Sequence, residues 1–301
     1  MGRDALDVRR FSHFAMSTLF EIMIGGLEEE YAGQAARAAF AEIDRIERLF
    51  TRFDPGSEIS RINRLAPGES VSVGVETYEC LMLADEIREA TAGAFDINVR
   101  GLIKYDSARP GPRLVPIRTA QGFEAGPGDL PGGPSSARLD LDLGGIGKGY
   151  ALDRVLDVLS DWSVEDALIH GGTSTAVAIG TSPGAGSPKR GWPVRAGGDW
   201  SIAGAPECLR ISGRAVSGSG TEVKGPHILD PRRGGPAAGH AAAWASHPSA
   251  AASDALSTAF MVMTTEEVGA FCREHAETWA LVIREGGEGR IFNPAIAFEC
   301  E

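Results

Sequence analysis

Residues 14–25 are mostly apolar and close on Gly25-Gly26, the pattern of a buried strand ended by a turn. From Glu28 to Phe50 the apolar positions Ala36, Phe40, Ile43 and Phe50 recur at three, four and seven, and the charges run from acidic at the start to Arg45 and Arg48 near the end. That spacing and that polarity predict an amphipathic helix aligned with its own dipole. A second helix is predicted over 76–92, with Gly93 as its C-cap. Residues 105–137 are dense in Pro and Gly with no sustained period, which predicts an irregular excursion.

Beyond it the pattern reads as a strand over 137–143, a glycine run, a helix to about Trp162, and strands over 166–172 and 175–180. Further strands are predicted near 193–197 and 209–216, helices over 249–263 and 265–275, and a closing strand over 279–285. Irregularly interleaved strands and helices without an internal repeat predict an α+β fold, a single compact domain over 1–301 with helices packed on mixed or antiparallel sheets.

Composition narrows the function. The 29 Lys and Arg against 41 Asp and Glu leave a net charge of −12, which argues against nucleic-acid binding by broad phosphate neutralisation and implies that a bound phosphate would need a metal. The 39 glycines are nearly twice the usual share of about 7%, so many loops are tight or approach a ligand by their backbone. Cys80, Cys208, Cys272 and Cys300 show no C-x-x-C spacing and read as reduced thiols. No membrane span or signal segment is evident, and a cytoplasmic setting is expected.

Three segments carry candidate chemistry. Leu141-Asp142-Leu143-Gly144-Gly145-Ile146-Gly147-Lys148-Gly149-Tyr150 is a glycine-rich turn opening a helix, able to aim N–H groups at an anion; it fits neither the Walker A nor the G-x-G-x-x-G pattern, and a plain turn with a solvated lysine stays open. Asp254 and Thr258, four apart on one helix face, offer hard oxygens to Mg²⁺, or are surface and capping residues. Ser217-Gly218-Ser219-Gly220-Thr221 and Gly225-Pro226-His227-Ile228-Leu229-Asp230-Pro231 gather hydroxyls, an imidazole and a carboxylate, yet miss the G-x-S-x-G elbow, and His227 beside an Asp-Pro turn can be structural.

In order and spacing these segments resemble the ApbE family, the FAD:protein FMN transferases. The resemblance runs from Ala15-Met16-Ser17-Thr18, similar to a Met-Gly-Thr opening, through Ser57-Glu58-Ile59-Ser60-Arg61-Ile62-Asn63 and Gly93-Ala94-Phe95-Asp96-Ile97, to the glycine turn, the segment 227–231 and Ser253-Asp254-Ala255-Leu256-Ser257-Thr258-Ala259. It implies Mg²⁺ on Asp254, Thr258 and a glycine-turn carbonyl, by alignment Gly145. It implies FAD against Met16, Phe53, Ala94, Phe95, Asp96, Asp142, Lys148 and Ile228, and His227 as the catalytic base that takes the proton of an acceptor's Thr or Ser hydroxyl while AMP leaves. His170, Thr173 and Arg233 depart from the family's pattern. Hydrolysis of FAD to FMN and AMP, and a flavin-binding protein without turnover, are the alternatives.

Overall fold

The apolar run over 14–25 folds as a hairpin instead of one strand. Strands Arg9–Ala15 and Thr18–Ile24 pair in register Ala15↔Thr18, and Met16 and Ser17 make the two-residue turn with φ of 48° and 60°. Right-handed strand twist favours such a turn, but its positive φ angles normally call for Asn and Gly, so nothing in this sequence announced it. Ser17 is exposed and strained by its φ. Ser17→Gly is therefore expected to stabilise the protein by roughly 0.5–1 kcal/mol, read as a higher urea midpoint; a lower midpoint would show that the hydroxyl contributes more than the strain costs.

The structure, a computed structural model, describes residues 8–104, 113–128, 138–182, 191–195, 208–221, 225, 228–296 and 298–299. The hairpin opens an eight-stranded sheet continued by Ala167–Gly171, Thr175–Ile179, Arg214–Gly220, His240–His247, Trp279–Arg284 and Gly289–Phe292, each beside its predecessor. Every described strand pair is antiparallel, which resolves the expected choice of mixed or antiparallel sheets.

Alternation along these strands gives the sheet two apolar faces. Phe20, Ile22, Ile24, Ile169 and Val177 pack on helices Glu29–Phe50 and Gly147–Asp161. Leu168, Ala178, Val216 and Trp244 pack on a small sheet of Trp192–Val194, Leu209–Ile211 and Phe298–Glu299. The predicted strand over 209–216 is thus two strands belonging to different sheets, broken at Ser212-Gly213.

Helix Ala250–Val262 is buried on nearly all sides. Its first turn is satisfied twice: Ser249 Oγ accepts from Ala252 N at 3.1 Å, and the Asp153 carboxylate accepts from Ala250 N (2.7 Å) and Ala251 N (3.0 Å). Such caps replace the partners that a helix start lacks. The second predicted helix spans Val75–Ala90 and its C-cap is Thr91 instead of Gly93, because Ala92 already turns left-handed; Gly93 N still donates to Arg88 O at 2.8 Å.

Two further expectations are corrected. Within the region read as irregular, 105–137, strands Leu114–Thr119 and Gly122–Pro127 form a hairpin that joins Val71–Val73 in a three-stranded sheet, since the Tyr78 and Phe123 rings stack at 4.5 Å and supply the burial that the local pattern hides; 105–112 and 129–137 lie outside the described residues. Cys208 is disulfide-bonded, whereas Cys80 and Cys272 are free. Spacing along the chain is silent on which thiols meet in space. Among the described residues no helix is long and apolar enough to cross a membrane.

Candidate active site

The glycine turn is reached through residues 138–143, which pair with no strand, contrary to the strand expected there. Asparagine side chains stand in for the missing partner. Asn63 Nδ2 donates to Leu141 O at 3.1 Å, Asn63 Oδ1 accepts from Leu141 N at 2.7 Å, and Asn98 Oδ1 accepts from Asp140 N at 2.8 Å. Leu141 is fully buried, and a buried backbone group without a partner costs about 1–3 kcal/mol. Asn63→Ala is therefore expected to destabilise the fold by about 2 kcal/mol or more and to loosen the turn that follows; an unchanged denaturation midpoint would refute this role.

The turn is held on both flanks. The Asp142 carboxylate accepts from Gly144 N at 2.9 Å and pairs with Arg52 Nε at 3.3 Å. Past the turn, helix Gly147–Asp161 meets helix Ala250–Val262 so closely that a Cβ on Gly149 would stand 2.2 Å from Ala250 O, so only glycine permits the contact. That approach brings Lys148 to Asp254. Lys148 Nζ lies 3.1 Å from Asp254 Oδ2 and donates to Gly144 O at 3.1 Å. Gly149 N (3.3 Å) and Thr175 Oγ1 (3.4 Å) also donate to the Asp254 carboxylate. Gly145 is wedged likewise: a Cβ there would lie 3.2 Å from Thr258 Oγ1 and 3.3 Å from Phe95 Cε2. Thr258 Oγ1 in turn donates to Asp254 O (3.3 Å) and stands 3.4 Å from Ser219 Oγ.

These groups line a cleft of about 1270 Å³, larger than the roughly 300–1,000 Å³ of ordinary small-molecule pockets. Met16, Phe53, Ala94, Phe95, Asp96, Asp142, Gly145, Lys148, Ile228, Asp254 and Thr258 all lie on it, drawn from segments far apart in the chain. Phe53 is 80% exposed with the Arg52 guanidinium 4.5 Å above its ring, an aromatic surface with a cation attached. Ala94 and Phe95 are buried beneath the cleft floor. Burial pushes the Asp96 carboxyl up from its usual value, against the hydrogen bond it accepts from Asn98 N. His227 lies outside the described residues, though Ile228 beside it reaches the cleft.

Other lining residues carry no sequence signal of their own. His170 and Thr173, two of the departures, face the cleft, and burial lowers the His170 pKa and favours the neutral ring. Arg233, the third departure, is exposed, with its Nε 3.8 Å from Asp230 Oδ2. Arg52 and Thr175 had no motif to mark them, and Ser219 was one of several hydroxyls in its segment; their contacts with Asp142, Asp254 and Thr258 single them out.

Among the described residues, five carboxylates (Glu21, Glu47, Asp96, Asp142 and Asp254) and four cations (Arg52, Arg100, Lys148 and Arg195) line the cleft. The groups near Asp254 that could ligate a cation are oxygens, its own carboxylate, the Thr258 hydroxyl and carbonyls of the glycine turn, which suits a hard divalent cation such as Mg²⁺ over a thiophilic metal. Among the described residues there is no cluster of three or more His, Cys, Asp or Glu that would suit the latter.

The ApbE family model matches residues 16–283. The chain is 25% identical over 295 residues to an FAD:protein FMN transferase of Klebsiella pneumoniae (strain 342), covering 90% of this chain and 83% of that protein. It is 25% identical over 247 residues to one from Chlamydia muridarum, covering 75% and 74%. Its fold is similar to the crystal structure of the ApbE protein of Thermotoga maritima, with a TM-score of 0.79, 25% identity and coverage of 98% and 100%.

Proposed function

The chain belongs to the ApbE family, and from that premise we propose that it is an FAD:protein FMN transferase, moving FMN from FAD to a Thr or Ser hydroxyl of an acceptor protein with release of AMP. What supports the reading above all is the gathering of residues separated by more than a hundred positions around one dinucleotide-sized cleft, with Lys148 and Asp254 in contact across it.

In this reading FAD lies along the cleft with its pyrophosphate at the glycine turn, where a helix N-terminus and Lys148 favour negative charge. Phe53 and Met16 offer apolar surface to a ring. Asp254, Thr258 and the Gly145 carbonyl would hold Mg²⁺, which when bound neutralises charge on the pyrophosphate. The acceptor's oxygen attacks the phosphorus of the FMN half and the bond to the bridging oxygen breaks. AMP leaves with that oxygen, and the hydroxyl proton passes to His227, imidazole being a side chain suited to general-base work near neutral pH.

Incubation of the protein with FAD and Mg²⁺, with and without a protein bearing the target threonine, tests the reading by AMP release and covalent flavin together. AMP with acceptor-bound flavin is the expected result. AMP with free FMN at the same rate in both mixtures would instead make it an FAD hydrolase, and no AMP in either would leave a flavin-binding protein.

A further inference from the structure

The Lys148 ammonium is paired with the carboxylate that is assigned to the metal. Its Nζ lies 3.1 and 3.4 Å from the two Asp254 carboxylate oxygens and 3.1 Å from Gly144 O, and the two side chains are only 21% and 5% exposed. One ammonium thus engages the carboxylate assigned to the cation and the carbonyl of Gly144, next to the Gly145 carbonyl assigned with it. Without it, the Asp254 carboxylate would keep, among the described residues, Gly149 N and Thr175 Oγ1, at 3.3 and 3.4 Å.

We propose that the Lys148 ammonium competes with a divalent cation for the Asp254 carboxylate, so that the cation binds by displacing the lysine from it. The proposal rests on the metal reading above. An ammonium and a divalent cation on one carboxylate compete, because the two positive charges repel at short range and little water screens them. The exchange also explains a lysine beside a metal ligand. Paired with Asp254 it compensates a buried charge that would otherwise destabilise the fold; displaced by a metal ion, it would be released into the cleft that it lines, free for the pyrophosphate. Metal and dinucleotide then favour the same lysine position, so each is expected to tighten the other's binding.

Calorimetric titration with MgCl₂ alone, without flavin, tests this on the wild type and Lys148→Met. Removing the competitor is expected to tighten Mg²⁺ binding by about tenfold, within the usual range of site-to-site coupling, and to enlarge the rise in Tm that Mg²⁺ produces. Lys148→Gln, which keeps a hydrogen-bond donor but no charge, makes the same comparison if Lys148→Met does not fold without metal. Arg52→Met removes a cleft cation whose partners are Asp142 and Phe53; an equal gain there would reveal diffuse electrostatics and overturn the exchange. Unchanged or weaker Mg²⁺ binding by both Lys148 variants overturns it too and leaves the metal site standing. Absence of Mg²⁺ binding in every protein overturns both, while the transfer reaction is judged separately by covalent flavin.

Discussion

Asp254→Ala is expected to abolish Mg²⁺-dependent release of AMP from FAD, a loss of at least the roughly 10²–10³-fold that follows removal of one charge-stabilising group. The carboxylate is the only charged side chain among the three groups assigned to the metal, and it also organises its neighbours by accepting from Gly149 N and Thr175 Oγ1 and holding Lys148. Alanine leaves the Lys148 ammonium without its counterion, so the variant should lose stability as well as activity. Asp254→Asn separates the two effects: it keeps the shape and the hydrogen-bond acceptor but not the charge, and is expected to stay folded and remain inactive. Thr258→Val should act in the same direction but less severely, since a neutral hydroxyl contributes less than a carboxylate. AMP release is to be measured at saturating FAD and modest Mg²⁺ on protein checked for folding by near-ultraviolet circular dichroism. Wild-type turnover by folded Asp254→Ala would refute the metal site.

His227→Ala is expected to slow FMN transfer by about 10²–10⁴-fold, the usual cost of removing a general base, while FAD affinity stays nearly intact. The base acts on the acceptor's proton and not on the bound dinucleotide. The competing reading makes His227 a structural part of the Asp-Pro turn. Within that turn the Asp230 carboxylate accepts from Arg232 N at 2.8 Å, and Gly234 N donates to Asp230 O at 2.9 Å. A structural histidine would lower Tm and flavin binding together, with activity falling only as folded protein falls. Single-turnover transfer on folded, FAD-saturated protein separates the two, and a rate within about tenfold of wild type, below the range for base removal, would take His227 off the catalytic list.

The elements legible in the sequence are those whose partner is their own neighbour in the chain. Helix Glu29–Phe50 was readable because its apolar stripe and the charges at its ends repeat locally, and helix Ala250–Val262 because Ser249 caps it and it carries no breaker. Where the deciding partner is remote, the local pattern misled. Segment 138–143 alternates like a strand, yet its backbone is held by Asn63 and Asn98. The stretch 114–127 reads as irregular, yet it becomes a hairpin once a third strand and Tyr78 cover it. The turn at Met16-Ser17 is imposed by strand pairing on residues that do not favour it.

The candidate site divides in the same way. The sequence by itself determined which chemical groups are available: hard oxygens four apart on a helix, a lysine at the head of a glycine turn, an imidazole beside an Asp-Pro turn, and an acidic chain that needs a cation before it can bind pyrophosphate. These follow from residue type and short spacing. Only the tertiary structure decided that Lys148 meets Asp254 across 106 residues, that Thr258 abuts Gly145, and that Arg52 braces Asp142. The physical reason is close packing: the absence of a side chain at Gly149 lets two helices approach to backbone contact, and that approach sets the distances between charges that no spacing along the chain encodes.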